Sequence, residues 1–155
     1  MTLDLSASYD DHIASLGRKA RIRANIAAIR TVRQLASEER PPEEADRAVL
    51  DRFTGWGGIA DAFDHRPGNA VPAELREELR VVLGDTEWNA AAAATLTSFH
   101  TPRRIAAAMA SGLAHLGYAG GRLLDPGTGT GAMLACLPAD LATATHVTAV
   151  ECNAT

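Results

Sequence analysis

The sequence predicts an α/β fold in which a helical leader precedes a single β–loop–α–β unit. Residues 122–125 form a short strand pattern that ends in Asp125. A loop with glycine at every second position follows at 126–131, and then an apolar helical run. Residues 146–150 predict a second strand, which ends at Glu151. The connection is long enough for the helical crossover that joins parallel strands.

The leader, residues 1–96, is predicted to contain a basic helix from about 12 to 36. Apolar residues at spacings of three and four indicate one buried face. The rest of this helix is the concentrated positive patch of the chain, and its cations are Arg18, Lys19, Arg21, Arg23, Arg30 and Arg33. Cations along a face suit contact with DNA phosphates, but they are also typical of a solvated helix surface. The sequence leaves both interpretations open.

Proline and glycine divide the rest of the leader. Pro41 and Pro42 end the basic helix and open a second helix, which stops at the turn Gly-Trp-Gly-Gly of residues 55–58. Trp56 is either an anchor buried under this turn or a ring on which a nucleic-acid base stacks. The remaining predicted elements are a short helix at 59–63, a loop at 65–72, and helices at 72–83 and 87–96 on either side of Gly84.

The second domain, residues 97–155, begins with an extended segment at 99–101. The residue before a proline is pushed toward extended geometry, so Thr101 is predicted as the N-cap of a helix that starts at Pro102. Apolar residues line this helix as far as Leu116. The free N–H groups at its N-terminus suit an anion such as a carboxylate.

Composition and charge exclude several classes of protein. The chain has 155 residues, is 46% hydrophobic and has a formal net charge of −4, so it can bury one core and has no global attraction to nucleic acid. Two cysteines, Cys136 and Cys152, and five histidines show no ligand spacing, so no metal is predicted. An acidic first segment and the lack of any run of about 18 apolar residues predict no membrane contact and a cytoplasmic location.

The loop after Asp125 suits a nucleoside cofactor. Gly127, Gly129 and Gly131 permit a sharp turn and a close approach of the backbone to a ligand. Ligands of open α/β sheets bind beyond the carboxyl ends of the strands. Glu151, about twenty residues past the last glycine, is placed to accept hydrogen bonds from ribose hydroxyls.

Three cofactors compete for this loop. A triphosphate-binding P-loop requires Gly-Lys-Ser/Thr, and residues 131–133 lack the lysine and the hydroxyl. A dinucleotide remains open, because Gly127, Gly129 and Ala132 satisfy its loose fingerprint. The Asp125 carboxylate would repel a pyrophosphate but would pair with an ammonium group. This favours S-adenosylmethionine (SAM), which carries both an ammonium group and a ribose.

Three motifs resemble parts of the DNA N6-adenine methyltransferases. Asp-Pro-Gly-Thr-Gly-Thr-Gly at 125–131 is similar to the first SAM-binding motif of that family, and Phe-His-Thr-Pro at 99–102 resembles the aromatic-Thr-Pro motif that precedes it in one subset. Gly-Trp-Gly-Gly at 55–58, after a basic helix, resembles the leader of large methylase–helicase fusion proteins carried on plasmids and other mobile elements. The resemblance covers the chain from about Arg18 onward.

The resemblance implies a Rossmann-like fold of a SAM-dependent methyltransferase. The cofactor-binding residues that follow are Phe99, Thr101, Asp125, Gly127, Gly129, Gly131, Glu151 and Cys152. Thr101 and Phe99 are included because they match the family's motif. Asp125 would hold the ammonium group, Glu151 the ribose, and Cys152 would line the adenine pocket. These are binding roles, so no catalytic residue is assigned.

A second family motif, Asn/Asp-Pro-Pro-Tyr/Phe, holds the flipped target adenine and is absent from the 155 residues. A single βαβ unit also leaves sheet edges unpaired. The expectation is therefore the N-terminal, SAM-binding part of a DNA adenine-N6 methyltransferase, with an incomplete sheet that is truncated after the second strand and inactive alone. Its expected partners are DNA and either a second chain or a missing C-terminal part. The alternatives are a non-catalytic DNA- or partner-binding module, a SAM methyltransferase fragment for another substrate, and a nicotinamide-dependent enzyme.

Overall fold

The computed structural model describes residues 16–152 and is mixed α/β, mostly helical, with one two-stranded parallel sheet among those residues. The chain divides into two compact units between Phe99 and His100. We refer to the described residues before the division as the helical unit and to those after it as the sheet unit. The predicted boundary followed residue 96. Residues 12–15 of the predicted basic helix lie outside the described residues.

The helical unit is made of helices whose boundaries coincide with non-helical residues. It contains α1 (Arg18–Glu38), α2 (Glu44–Leu50), a short 3-10 helix (Ala60–Phe63) and α3 (Ala73–Ala94). The left-handed conformation of Glu39, with φ 51°, ends α1. Inside α3, Gly84 is non-helical with φ 69°, so this element consists of two helical stretches that meet where the sequence predicted a break. Glycine tolerates that conformation because it has no Cβ.

Arg40 joins the end of α1 to the start of α2. Its guanidinium donates to Asp46 at 2.5 and 3.3 Å and to Glu38 at 2.6 Å. Asp46 also accepts the backbone N–H of Glu43 at 2.9 Å, which completes a reciprocal capping box at the start of α2. The hydrogen bonds from Arg40 and Glu43 hold the pKa of Asp46 below its usual value, since they favour the charged carboxylate.

Aromatic rings in edge-to-face contact form part of the core of the helical unit. The buried apolar residues of this core include Ile22, Ile26, Trp56, Ile59, Leu75, Leu79, Val82 and Trp88. Trp56 meets Phe53 and Phe63 edge to face, with ring centroids 5.9 and 5.4 Å apart, and Phe63 meets Trp88 at 4.8 Å. Trp56 is 1% exposed. This burial supports the anchor interpretation of Trp56 and leaves no ring face for a base to stack on.

The sheet unit is one parallel βαβ arrangement. It contains α4 (Arg103–His115), β1 (Gly121–Asp125), α5 (Ala132–Ala135), α6 (Ala139–Ala144) and β2 (Thr145–Ala149). The two strands pair in parallel from Gly121 with Thr145 to Asp125 with Ala149. The connection contains two short helices instead of the single predicted helical run. Two parallel strands with a helical crossover are as the sequence predicted.

The two faces of this sheet differ in burial. Leu123 and Val147 are partners in the register and are half-buried, whereas Leu124, on the other face, is 63% exposed. A small apolar cluster lies where α4 meets the α5 segment: Ala106, Ala110, Cys136 and Leu137. Parallel sheets are normally covered on both faces, so the face that carries Leu124 is unusual in its exposure.

Residues 16–152 contain neither a metal-binding cluster nor a membrane-spanning helix. No group of three or more His, Cys, Asp or Glu side chains in this part of the chain is arranged to hold a metal ion. Cys136 is buried and Cys152 is exposed, and both are free thiols. None of the helices described has the length and apolar character that a membrane crossing requires.

Candidate functional site

The glycine loop at 126–131 is held against the segment that follows β2. Asp125 and Ala149 are partners at the carboxyl ends of the two strands. Beyond them, the Val150 N–H donates to the Asp125 carbonyl at 2.9 Å, and the Thr128 N–H donates to the Val150 carbonyl at 3.0 Å. These bonds give the loop a defined shape at the edge of the sheet where ligands of α/β proteins bind.

Two of the three loop glycines adopt a conformation that disfavours other residues. Gly129 has φ 52° and Gly131 has φ 78°, both in the left-handed region. A Cβ at Gly129 would also lie only 3.3 Å from His100 Nδ1, whereas a Cβ at Gly127 or Gly131 would meet nothing within 4 Å. Gly129 is therefore constrained by both backbone conformation and space, and Gly127 by neither.

The acid after β2 is bonded to the loop. Glu151 Oε2 accepts the backbone N–H of Gly129 at 2.8 Å. This contact brings together two residues that the sequence assigned to one cofactor site, although they are 22 positions apart. The bond fixes the Glu151 carboxylate beside the loop.

The acid at the end of β1 has an unsatisfied oxygen. Asp125 Oδ1 receives a long hydrogen bond of 3.4 Å from the Gly127 N–H. Asp125 Oδ2 and Thr128 Oγ1 are buried atoms with no hydrogen-bond partner among the described residues. A buried polar group left unpaired costs about 1–3 kcal/mol. The loop thus presents a carboxylate oxygen and a hydroxyl that suit a ligand with N–H or O–H donors.

The start of α4 differs from the sequence prediction. Helix α4 begins at Arg103, with Pro102 in the N-cap position and no side-chain cap. The prediction that Thr101 is the N-cap of a helix beginning at Pro102 is therefore wrong. The Pro102 carbonyl accepts the first helical bonds, from Ile105 and Ala106 at 2.9 and 3.0 Å, because the extended Pro102, with ψ 139°, delays the helix by one residue. Thr101 is exposed.

Two further predicted residues are solvent-exposed. Phe99 is the last residue of the helical unit and is 68% exposed. Cys152 follows Glu151 and is an exposed free thiol. Thr101 and Cys152 both belong to the sheet unit, as do Asp125 and the glycine loop, whereas Phe99 belongs to the helical unit.

Most of the predicted DNA-contacting cations have partners inside the helical unit. Arg18 pairs with Asp61, Arg30 with Glu78 at 2.8 Å, and Arg33 with Glu87 at 2.9 Å. Arg33 also donates to the Val82 carbonyl on α3. These contacts hold α1 against the neighbouring elements, and the partner carboxylates offset part of its positive charge.

The remaining cations of α1 divide into two kinds. Lys19 and Arg23 are exposed and lie one helical turn apart, so they share a face. Arg21 is half-buried, and its guanidinium donates to Thr54 Oγ1 at 3.3 Å and to the Gly57 carbonyl at 2.8 Å. Burial lowers the pKa of Arg21 by disfavouring its charged form.

Asn25 has a structural role that the sequence patterns did not predict. Its side chain is buried, donates to the Gly55 carbonyl at 2.9 Å and accepts from the Thr54 backbone N–H at 2.8 Å. Asn25 lies between Ile22 and Ile26 on the apolar face of the helix. This position predicts a buried amide, and a buried amide needs hydrogen-bond partners.

Comparisons with known proteins add no family assignment. Searches with this chain against protein-family models, curated proteins and solved structures give no match. The residues and the geometry of the glycine loop are therefore the basis for a functional assignment.

Proposed function

We propose that the sheet unit binds SAM and that the chain is the cofactor-binding part of a DNA adenine-N6 methyltransferase with a Rossmann-like fold. The observation that carries the proposal is the buried, unpartnered Asp125 Oδ2 at the carboxyl end of β1. An ammonium group on a ligand would supply the missing donor and neutralise the carboxylate in one contact. SAM has such a group, and a pyrophosphate would be repelled at the same place.

The second acid supports the ribose part of the proposal. Glu151 stands at the end of β2, and its bond to the Gly129 N–H fixes the carboxylate beside the loop. Ribose hydroxyls are donors that a carboxylate accepts well. An acid at the end of each of two adjacent strands therefore suits a ligand that carries an ammonium group and a ribose.

The other proposed contacts have supporting roles. Gly127 has no neighbour within 4 Å of its missing side chain, so a ligand can approach the backbone there. Thr101 is exposed at the start of α4, and Cys152 is exposed next to Glu151. By the resemblance, Thr101 and Phe99 contact the cofactor, and Cys152 lines the adenine pocket.

When bound, SAM supplies an electrophilic methyl group. This chain's own residues would hold and orient the cofactor, with Asp125 on the ammonium and Glu151 on the ribose. The motif that holds a target adenine is absent from the sequence. We therefore propose that methyl transfer to DNA requires this motif from another segment or a second chain, which would also extend the two-stranded sheet and cover the face of Leu124.

Calorimetry with SAM on the full chain tests the proposal. We expect binding to the wild type and a loss of at least about tenfold in affinity for Asp125→Asn and for Glu151→Gln, since each removes a charge-assisted bond. Asp140→Asn is the matched control, because it changes an exposed acid of the same unit away from the loop. A folded chain that binds no SAM would contradict the proposal.

Two other ligands decide between the alternatives. NAD binding without SAM binding would favour a nicotinamide-dependent enzyme, which the loose dinucleotide fingerprint leaves open. Salt-dependent binding to duplex DNA that is unaffected by SAM would favour a non-catalytic DNA-binding module, with Lys19 and Arg23 as its exposed cations. SAM binding without any effect of DNA would leave open a methyltransferase for another substrate.

A further inference from the structure

Thr128 lies in the middle of the glycine loop, and its backbone is bonded on both sides. Its N–H donates to the Val150 carbonyl at 3.0 Å, and its carbonyl accepts the Gly131 N–H at 2.8 Å. Val150 in turn donates to the Asp125 carbonyl at 2.9 Å. All four residues belong to the sheet unit. These bonds fix the point from which the Thr128 side chain leaves the loop, next to the ends of both strands.

The hydroxyl of Thr128 is unpaired although its backbone is not. Thr128 is half-buried, and its Oγ1 is a buried atom with no hydrogen-bond partner among residues 16–152. Asp125 Oδ2, three positions earlier, is in the same condition. A buried hydroxyl without a partner loses the hydrogen bonds that water gives it in the unfolded chain, so it lowers stability. Buried polar groups of this kind are rare in proteins, and each requires an explanation.

Thr130 shows that a hydroxyl in this loop need not be buried. It lies two positions after Thr128 and is exposed, so water can bond to it. Gly127, on the other side of Thr128, is exposed and has no atom within 4 Å of its missing side chain, so the loop is open to a ligand there. Thr128 thus combines an unpaired, buried hydroxyl with an open neighbouring backbone.

The two unpaired oxygens suit a group with several N–H donors. A carboxylate oxygen and a hydroxyl oxygen both accept hydrogen bonds, and a primary ammonium group has three N–H donors. A single ammonium group can therefore donate to Asp125 Oδ2 and to Thr128 Oγ1 at once. A ligand carboxylate would satisfy only the Thr128 hydroxyl and would be repelled by Asp125.

We propose that Thr128 is a specificity-determining residue of the cofactor site, whose hydroxyl accepts a hydrogen bond from the ammonium group that Asp125 binds. The proposal rests on the binding of SAM by the sheet unit, as proposed above. It assigns the amino-acid end of the cofactor to two side chains of the loop instead of one. Ligands that lack a primary ammonium group therefore gain no affinity from the Thr128 hydroxyl.

Urea denaturation of the full chain without ligand tests whether the hydroxyl is unpaired. Valine has nearly the shape of threonine without the hydroxyl, so Thr128→Val should leave the urea midpoint unchanged or raise it. Thr130→Val is the matched control in the same loop and should leave the midpoint unchanged. A lower midpoint for Thr128→Val would show that the hydroxyl has a partner in the fold, and would overturn the proposal.

Calorimetry with three ligands then tests the ammonium contact. SAM has an ammonium group and a carboxylate, decarboxylated SAM keeps only the ammonium group, and methylthioadenosine has neither. Thr128→Val should weaken the binding of SAM and of decarboxylated SAM by the same factor, about tenfold, because a hydrogen bond to a charged group is lost. Its affinity for methylthioadenosine should equal that of the wild type. Thr130→Val should bind all three ligands as the wild type does.

The other outcomes separate the role of Thr128 from SAM binding itself. If the wild type binds SAM and Thr128→Val binds it equally well, the role of Thr128 is overturned and SAM binding stands. The same holds if the loss is confined to SAM, which would place the hydroxyl on the carboxylate, or if the loss extends to methylthioadenosine. A wild-type chain that binds no SAM overturns both the proposed function and the role of Thr128.

Discussion

At the scale of single residues, Gly129 is the most constrained position of the glycine loop. It combines a left-handed backbone with a close neighbour, His100, and its N–H is the donor to Glu151. Gly127, two positions earlier, does not have a positive φ, and no atom lies within 4 Å of its missing side chain. The alternate glycines of the motif thus serve different physical purposes: one shapes the loop, and another leaves room for a ligand.

This contrast gives a paired prediction. Gly129→Ala should destabilise the chain by about 1–2 kcal/mol, because a Cβ in the left-handed region meets its own backbone. Gly127→Ala should change the free energy of unfolding by less than about 0.5 kcal/mol. Urea denaturation measures both values. Equal effects of the two substitutions would show that the loop does not have the conformation described.

The same pair also separates stability from binding. Gly127→Ala adds a methyl group where the proposed cofactor approaches the backbone, so it should weaken SAM binding while leaving the protein as stable as the wild type. A SAM affinity unchanged by this substitution would place the cofactor elsewhere.

At the scale of elements, the junction between α1 and α2 depends on charged side chains. Arg40 bonds both Glu38 and Asp46, and Asp46 caps α2. The pKa of Asp46 is lowered by Arg40 and by the Glu43 N–H. In the loop before α3, hydrogen bonds from Arg66 lower the pKa of Asp64 to about 2. Both carboxylates are therefore more acidic in the folded chain than in an unfolded one.

Stability should consequently fall in acid. A carboxylate with a lowered folded pKa stabilises the protein above its unfolded pKa, and this contribution is lost as the pH falls through the folded pKa. We expect the free energy of unfolding to decrease as the pH drops from about 5 toward 2. The decrease should be shallower in Asp46→Asn than in the wild type or in the exposed control Asp140→Asn. Denaturation series at several pH values measure this, and identical slopes would refute the role of Asp46.

At the scale of the whole molecule, the chain consists of two compact units that differ in the size and composition of their apolar cores. The helical unit has a large aromatic core, whereas the sheet unit has a small cluster around Ala106, Ala110 and Cys136. Within residues 16–152 the sheet has two strands, and one of its faces is exposed at Leu124. The exposed face supports the proposal that further strands or another chain cover this sheet, since parallel sheets are normally covered on both faces.

The corresponding prediction concerns activity. The 155-residue chain, incubated with SAM and duplex DNA, should produce no N6-methyladenine, since it lacks the motif that holds a flipped adenine. Mass spectrometry of the digested DNA measures the product, with an active adenine methyltransferase as the positive control. Methylation by this chain alone would show that another part of it holds the target base.

The secondary-structure elements that were predicted correctly are those with a clear local sequence pattern. Mixed α/β structure, parallel strands around a glycine loop and the break at Gly84 were predicted correctly, because hydrophobic period and glycine act over a few residues. The start of α4 was predicted one residue early, at Pro102 with a Thr101 cap. Helix ends are decided by small differences in backbone energy, which residue type alone does not resolve.

The sequence by itself determined the order of the helices and strands, except for the second short helix between the strands, and it determined the acids at the two strand ends. Only the tertiary structure decided which polar groups have partners. It showed Arg18, Arg30 and Arg33 in ion pairs. It also showed Asn25 and Arg21 bonded to the turn at 55–58, and Asp125 Oδ2 left unpaired. The reason is physical: local pattern sets the backbone, whereas pairing depends on distances between residues far apart in the chain, such as Gly57 and Ser98.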